Sequence, residues 1–564
     1  MQNLIVIPVL GAVGLLLALF VTFGIKRLPA GTVIMQEYLS SIENVIGAFI
    51  NKHYIVAAGL ILVVFFIIAF LFNLPAAISF LCGFLVTIFI LNRVMDIIAK
   101  AGIRTTATTA DKALAIMLCG SFVSAILVMA VVLLGCGLLF WAIGNPRTLN
   151  LFLLGISMAA LLYSTGSSIF RSTITSNEAS YLLLSGSTTV DLFESCAVAL
   201  AGAMTIGALG MVHFGFAGVI LPLIIFSVGL IICIFALIYI IIYRRQGMEK
   251  VMGRTIFLYT LFLILVSLIV VRYLLPGEQL KVFLAVVLGL GSALLLFLPL
   301  VVSIPSIFKQ DDSNAFWTRY YLVICIPVLL LSFLLSYHSA GFYGVSITGL
   351  AILLYVGIAV FIQSFAKIKF FATGLTAGVT DENDAPDENE DGYKETVATS
   401  FSVAATTFAA FILLLAFIQV AQVQEICIIT NGLVLLGLAI GGVLPYLFTS
   451  WVNNSAQQGS DDNSGFDNND DKLEEEAVKQ DSEVTKDYNI YTYRESLLVL
   501  LAAAAIPLLT GFLLGKQVLA ALIIGTSIAG ILLVIVRAKN YEPHLSILIK
   551  FLLILSLSIA APLL

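Results

Sequence analysis

Residues 113–144 read ALAIMLCGSFVSAILVMAVVLLGCGLLFWAIG, a run of 32 residues without a charged side chain. A bilayer core of about 30 Å needs roughly 20 apolar residues in a helix, so this run can cross a membrane with some tilt. The whole chain has the same character: 60% of its 564 residues are hydrophobic and 11% are charged, against about 25% charged in soluble domains. The sequence therefore predicts an all-α, polytopic membrane helical bundle. It excludes soluble enzymes, nucleic-acid-binding proteins, disulfide scaffolds and disordered chains.

Apolar runs of similar length recur along the chain and predict about sixteen transmembrane helices in a single membrane domain, residues 1–564. The predicted spans cover residues 3–25, 54–73, 75–97, 113–144, 148–170, 190–210, 214–243, 254–275, 281–304, 319–338, 341–370, 395–419, 426–452, 495–515, 516–536 and 543–564.

The basic residues give the orientation of this bundle. With the N-terminus outside, 23 of the 28 Lys and Arg residues fall in or beside cytoplasmic loops, Lys367 and Lys369 among them, and four fall on the opposite side. Because Lys and Arg are enriched in cytoplasmic loops, this asymmetry predicts that the N- and C-termini both lie outside. We expect a multi-pass protein of the cell membrane, of the bacterial inner-membrane type, with the lipid bilayer as its first partner.

Three segments outside the spans stand out. Residues 31–53 carry an apolar stripe at helical spacing and predict an interfacial amphipathic helix. Residues 376–394 form an acidic cytoplasmic loop that includes DENDAPDENED at 381–391, and residues 454–493 form a second, disordered acidic loop. A cation-binding collar is one interpretation of the acids. Their irregular spacing, without the glycine turn of a calcium loop, favours solvated linkers and no metal site.

Few ionisable side chains remain at membrane depth. Asp191 and Glu194 open the 190–210 run three residues apart, so they share a helix face, and Ser195 extends that face. Lys550 lies inside the last run, with Ser546 one turn before it. If the sixth and sixteenth spans are neighbours, these five residues form a compact polar group in the cytoplasmic half of the bundle.

Two interpretations of this polar group stay open. It could be an ion gate, in which Lys550 competes with a transported cation for the carboxylates of Asp191 and Glu194. It could equally be a structural salt bridge that fixes helix register, since intramembrane charges are either paired or functional.

The string DLFESCAVALAGAMTIG at 191–207 resembles the DLFESY-type helix of the membrane-integral pyrophosphatases, which hydrolyse pyrophosphate to move protons or sodium ions. Other stretches resemble segments of that family in the same order along the chain. They are RTTATTADKALAIMLCGSFVSAIL at 104–127, LFLLGISMAALLYSTGSSIF at 151–170, VLPYLFTSWVNNSA at 443–456, IPLLTGFLLGKQVLAALIIGTSIAGILLVIV at 506–536 and SILIKFLLILSLSIAAPLL at 546–564. Sixteen spans with both ends outside is also the architecture of that family.

The resemblance implies an ion gate at Asp191, Glu194, Ser195 and Lys550, although the asparagine of the family's NILIK string is Ser546 here. It also implies a homodimer, or a heterodimer with another protein. The transported ion would be H⁺ or Na⁺.

The sequence departs from the family where magnesium pyrophosphate would bind. In RSTITSNEASYLLLSGSTTVDLFES at 171–195, Ser172 stands where the family has a lysine, and Thr175 and Ala179 stand where it has aspartates. The arginine usual before the family's GGGIF string is Ser164. The segment RAKNYEPHLSILIK at 537–550 leaves no room for the terminal Asp/Lys motifs. Because several divalent ions around a tetra-anion need many carboxylates on rigid helix ends, these changes predict a lost hydrolytic centre.

Three functions therefore remain. The first is a pyrophosphatase-pump-like membrane protein that does not hydrolyse pyrophosphate, keeps an ion gate and serves in ion transport or as a regulatory partner subunit, without catalytic residues, metal or cofactor. The second is an active pyrophosphate-energised proton or sodium pump, which would need Mg²⁺. The third is an unrelated secondary cation transporter or channel.

Overall fold

The computed structural model describes residues 2–145, 147–171, 174, 177–306, 326–380, 405, 408–420, 432–463, 494–495, 497–499, 501–502, 505–507 and 509–536. Across these ranges the regular structure is helical, with no strand. Ser546, Lys550, the predicted span 543–564 and most of the two acidic loops (381–394 and 464–493) lie outside the described residues.

The bundle is built from long helices joined by short turns. In chain order they are α1 Val6–Lys26, α2 Val33–Leu71, α3 Leu74–Thr106, α4 Ala110–Ile143, α5 Arg147–Arg171, α6 Asn177–Leu209, α7 Met211–Tyr243, α8 Met248–Leu274, α9 Gln279–Ser306, α10 Ile326–Leu353, α11 Val356–Thr380, α12 Phe408–Val420, α13 Gly432–Asn463 and α14 Lys516–Val536.

Local sequence signals explain several helix ends. The side chain of Asn73 accepts a hydrogen bond from the backbone N–H of Ala76 at 2.9 Å, which caps α3 and separates it from α2. Gly144 ends α4 in the left-handed conformation, with φ 72°. Gly341, with φ 60°, interrupts α10, so the chain turns at the boundary between the predicted spans 319–338 and 341–370.

Within the described ranges, nine helical stretches are long and apolar enough to cross a membrane. Large apolar side chains also cover the outside of the bundle, where Phe20, Phe70 and Val212 are 77%, 90% and 92% exposed. Such a surface is unfavourable in water and suits lipid. The all-α, multi-pass fold is confirmed. The count of sixteen spans and the location of the termini stay predictions.

Two adjacent helices, α3 and α5, touch through glycine. A Cβ placed on Gly83 would strike the carbonyl oxygen of Phe152, and one placed on Gly155 would strike that of Phe80. Without hydrophobic force between helices in lipid, such close backbone contact is a main source of helix association.

A charged cluster ties together the ends of α1 and α3. Lys26 and Lys100 both form ion pairs with Asp96, the former at 3.1 Å. The guanidinium of Arg104 donates to the carbonyl oxygens of Lys100 and Lys26, at 2.9 and 3.1 Å. Burial raises the pKa of the neighbouring Glu43 carboxyl on α2, while Lys100 and Lys26 act to lower it and Asp96 acts to raise it. The C-terminal ends of α1 and α3 thus lie at one end of the bundle.

A second charged contact lies at the same end of the bundle, because α4 begins directly after α3 ends. Arg245, just after α7, pairs with Asp111 at the start of α4 at 2.7 Å. These contacts agree with the predicted alternation of loops, and we call this end of the bundle the inner end.

The segment 31–53 is helical from Val33 and continues without a break into the predicted second span, so that α2 has 39 residues. Its apolar stripe is buried inside the bundle through Tyr38, Ile42 and Phe49, and the ring of Phe49 stacks on Phe170 at 4.7 Å between ring centroids. Its position at the membrane interface stays a prediction.

Candidate ion gate and inner end of the bundle

The two carboxylates of the DLFES string lie in the middle of α6, since that helix begins at Asn177, thirteen residues before the predicted span. Asp191 and Glu194 are 1% and 0% exposed. The hydroxyl of Ser195, also buried, donates to the carbonyl oxygen of Asp191 at 2.6 Å. The structure thus keeps Asp191, Glu194 and Ser195 together, deep inside the bundle.

Glu194 has a partner that the sequence did not indicate. The hydroxyl of Ser157, on α5, donates to Oε1 of Glu194, and both side chains are fully buried. A lone serine in the apolar string LFLLGISMAALL has no distinctive spacing, so only the packing of α5 on α6 identifies it.

A buried lysine lies on the inner side of these carboxylates. Lys367, on α11, is 8% exposed, and its ammonium donates to the carbonyl oxygen of Ser185 at 3.2 Å and to the hydroxyl of Thr188. The sequence count placed Lys367 with the cytoplasmic loops. In the structure Lys367 lies within α11, which continues to Thr380, and its side chain is buried in the bundle. The side of the membrane on which it lies stays a prediction.

Further hydroxyl groups lie on the helices around this lysine. Ser164 and Ser187 share a hydrogen bond at 2.9 Å between α5 and α6. Ser185, and Ser364 on α11, are 0% and 1% exposed, and their hydroxyls have no hydrogen-bond partner among the described residues. Buried hydroxyls of this kind are usually satisfied by water. The seam between α6 and α11 is therefore polar.

One carboxylate occupies the inner end of this seam. Glu178, in the first turn of α6, is 6% exposed and accepts a hydrogen bond from the phenol of Tyr38 on α2 at 3.0 Å. The same carboxylate packs against Gly374 of α11, where a Cβ would strike it. Nearby, the guanidinium of Arg171 donates to the hydroxyl of Ser180 at 3.0 Å. Glu178 thus links α2, α6 and α11.

We expect Tyr38→Phe to lower the free energy of unfolding by about 1–3 kcal/mol, because it removes a donor to a buried carboxylate. Thermal or denaturant unfolding of the purified protein in detergent measures the change. Tyr273→Phe is the matched control, since Tyr273 is 86% exposed, and it should change stability by less than about 0.5 kcal/mol. Equal stability of the two variants would contradict a role for the Tyr38–Glu178 hydrogen bond.

The described residues at this inner end do not by themselves supply the ligands that magnesium pyrophosphate needs. Mg²⁺ requires near-octahedral oxygen ligands, and several such ions need a set of carboxylates. In the part of the chain that the structure describes, no group of three or more His, Cys, Asp or Glu side chains is placed to hold a metal ion. At the α5–α6 junction the described carboxylate is Glu178, and farther along the seam the cation Lys367 lies against α6.

The remaining members of the predicted gate, Lys550 and Ser546, lie outside the described residues. A salt link between Lys550 and Asp191 or Glu194 therefore stays a prediction.

Comparison with known proteins connects these features to one family. Residues 12–173 and 318–540 match the family described as "Inorganic H+ pyrophosphatase". A protein of Clostridium tetani, provisionally named a K(+)-stimulated pyrophosphate-energized sodium pump, is 23% identical over 600 residues, covering 93% of this chain and 86% of its own length. A K(+)-insensitive pyrophosphate-energized proton pump of Methanosarcina mazei is 22% identical over 594 residues, covering 93% of this chain and 88% of its own length. A K(+)-insensitive pyrophosphate-energized proton pump of Moorella thermoacetica is 27% identical over 308 residues, covering 48% of this chain and 45% of its own length.

Proposed function

This chain belongs to the inorganic H+ pyrophosphatase family, and from that premise we propose that it is a pump-like membrane protein that passes H⁺ or Na⁺ through an ion gate without hydrolysing pyrophosphate. It is a multi-pass protein of the cell membrane. Membership removes the alternative of an unrelated transporter.

The observation that carries the proposal is the burial of Asp191 and Glu194 in the middle of α6. Charged side chains at this depth are unfavourable unless they are paired or act on an ion. Ser157 and Ser195 add hydroxyls to the same site. This set of oxygens suits a proton or a sodium ion. Our proposal adds Lys550 and Ser546 as the counter-charge and hydroxyl from the last span.

The loss of hydrolysis is supported by the inner end of the same helix. Hydroxyl and apolar side chains predominate at 172–190, where the resemblance implies aspartates and lysines, and the carboxylate of Glu178 accepts a hydrogen bond from Tyr38. The acidic string at 381–391 is a poor substitute, because its carboxylates are irregularly spaced in the sequence and phosphoryl transfer depends on preorganised charge. The protein would then act as an ion-conducting or regulatory partner subunit, as a homodimer or a heterodimer. We place its sixteen spans, with both termini outside, in a bacterial-type inner membrane.

We expect purified protein in liposomes to release no phosphate from magnesium pyrophosphate above the level of empty liposomes. A hydrolysing member of the family, assayed in parallel, is the positive control. Steady turnover would overturn the proposal and establish the second candidate, an active pyrophosphate-energised pump. The names of the full-length relatives favour that candidate.

Ion flux gives an independent test of the gate. Under an imposed H⁺ or Na⁺ gradient, the protein should conduct above empty vesicles, and Asp191→Asn should reduce the flux to their background. Asp111→Asn removes a half-exposed carboxylate at the inner end and is the matched control. If Asp191→Asn left the flux unchanged, the gate would be contradicted and these carboxylates would have a structural role only.

A further inference from the structure

The seam between α6 and α11 carries charges of alternating sign. The two helices run antiparallel, because Glu178 contacts Gly374, the ring of Tyr181 stacks on Phe370 at 3.8 Å between ring centroids, and the ammonium of Lys367 contacts Ser185 and Thr188. Lys367 thus meets α6 farther from the inner end than the Tyr181–Phe370 contact does.

The spacing along α6 gives the order of these charges. At 1.5 Å per residue, Ser185 lies about 10 Å beyond Glu178, and Thr188 lies about 4.5 Å before Asp191. Thr188, Asp191 and Ser195 share one helix face by their spacing. The ammonium of Lys367, held on Ser185 and Thr188, therefore lies between the inner end of the bundle and the buried carboxylates.

We propose that Lys367 is a tethered cationic plug that closes the inner approach to the Asp191–Glu194 site. A cation that follows the polar seam must pass a fixed ammonium held on α6 about one helical turn short of Asp191. Repulsion between like charges at this distance is strong inside a protein, where the effective dielectric constant is far below that of water. The inference rests on the proposed function, since it assigns the regulation of the same gate.

The face of α11 that carries the lysine supports this role. Gln363, Ser364 and Lys367 follow at i, i+1 and i+4, and all three are buried. A lysine that served only to anchor the end of α11 would reach toward the headgroups, as long basic side chains near helix ends do. Here the side chain reaches the opposite way, into α6.

The decisive variant is Lys367→Met, which keeps the length of the side chain and removes the charge. In liposomes with an imposed Na⁺ or H⁺ gradient and no pyrophosphate, we expect the flux to rise by about tenfold or more over the parent protein. Lys367→Arg keeps the charge and should leave the flux at the parent level. Flux of Lys367→Met equal to the parent, in protein that elutes as a single species, would overturn the plug.

A second variant neutralises the ammonium without removing it. Thr188→Asp places a carboxylate beside Lys367 and should raise the flux as Lys367→Met does, while Thr188→Asn should not. This pair decides the question if Lys367→Met does not fold.

Failure of the plug is distinguishable from failure of the proposed gate. In Asp191→Asn/Lys367→Met, flux at the background supports both the plug and the gate. Flux as high as in Lys367→Met supports the plug and contradicts the gate carboxylates. Unchanged flux in both Lys367→Met and Thr188→Asp overturns the plug alone, because phosphate release and the Asp191→Asn result do not depend on it.

Discussion

Replacing Gly155 by leucine should destabilise the bundle by about 3 kcal/mol or more, the upper range for overpacking a well-packed interior. At this position any Cβ meets the backbone carbonyl of Phe80 on α3, so the clash is with main chain and cannot be relieved by a rotamer change. The two helices would have to separate, and Gly83 would lose its contact with Phe152 as well. Thermal unfolding in detergent, with the yield of monodisperse protein, measures the effect.

Gly59→Leu is the matched control for this substitution. Gly59 lies within α2, and a Cβ there meets nothing within 4 Å. The control should be neutral or slightly stabilising, because leucine has the higher helix propensity by somewhat under 1 kcal/mol. If Gly155→Leu were as stable as Gly59→Leu, the close approach of α3 and α5 would be contradicted.

Glu194→Gln should reduce cation flux by about a hundredfold, because a unit charge a few ångströms from an ion contributes about 3 kcal/mol at an effective dielectric constant near 20. Glutamine keeps the shape of the side chain and an oxygen that can accept from Ser157, so packing should be preserved. Flux under an imposed gradient, measured in liposomes, tests the expectation.

Ser157→Ala separates charge from hydrogen bonding at the same carboxylate. It removes the hydroxyl on Glu194 Oε1 and leaves the negative charge in place. A neutral partner to a charged group contributes about 1.5–3 kcal/mol, and the negative charge of Glu194 is kept, so we expect a smaller loss of flux than in Glu194→Gln. Equal losses in the two variants would mean that the hydrogen bond, rather than the charge, holds the ion.

Hydropathy predicted the helical class and many of the turns of this fold. The breaks at Gly144, Gly215 and Gly341 fall within a few residues of predicted span boundaries, because glycine at positive φ follows an apolar run at each place. Hydropathy did not predict the start of α6. Residues 177–190 carry several serines and threonines, which lower the hydropathy and resemble a loop.

Those residues can lie in a buried helix because their hydroxyls bond back to the helix itself. Thr188 donates to the carbonyl oxygen of Leu184 at 3.3 Å, and Thr189 donates to that of Ser185 at 2.9 Å. A hydroxyl whose hydrogen-bonding capacity is met in this way can be buried. Hydropathy values of single residues do not include this bond and therefore underestimate how readily the segment is buried. For the candidate site, the sequence identified Asp191 and Glu194 from their charge. It missed Ser157 and the buried position of Lys367, because both depend on which helices pack together.

The length of α2 has a mechanical consequence. At 1.5 Å per residue its 39 residues span about 58 Å, nearly twice the hydrocarbon thickness of a bilayer. Its first half is fastened to α6 through Tyr38 and to α5 through Phe49, and its last third exposes Phe66 and Phe70. A continuous helix is stiff over this distance. A sideways displacement of the fastened half is therefore transmitted along the helix to the exposed third. One rigid helix thus couples the thickness of the bilayer to the positions of the helices that meet at Glu178.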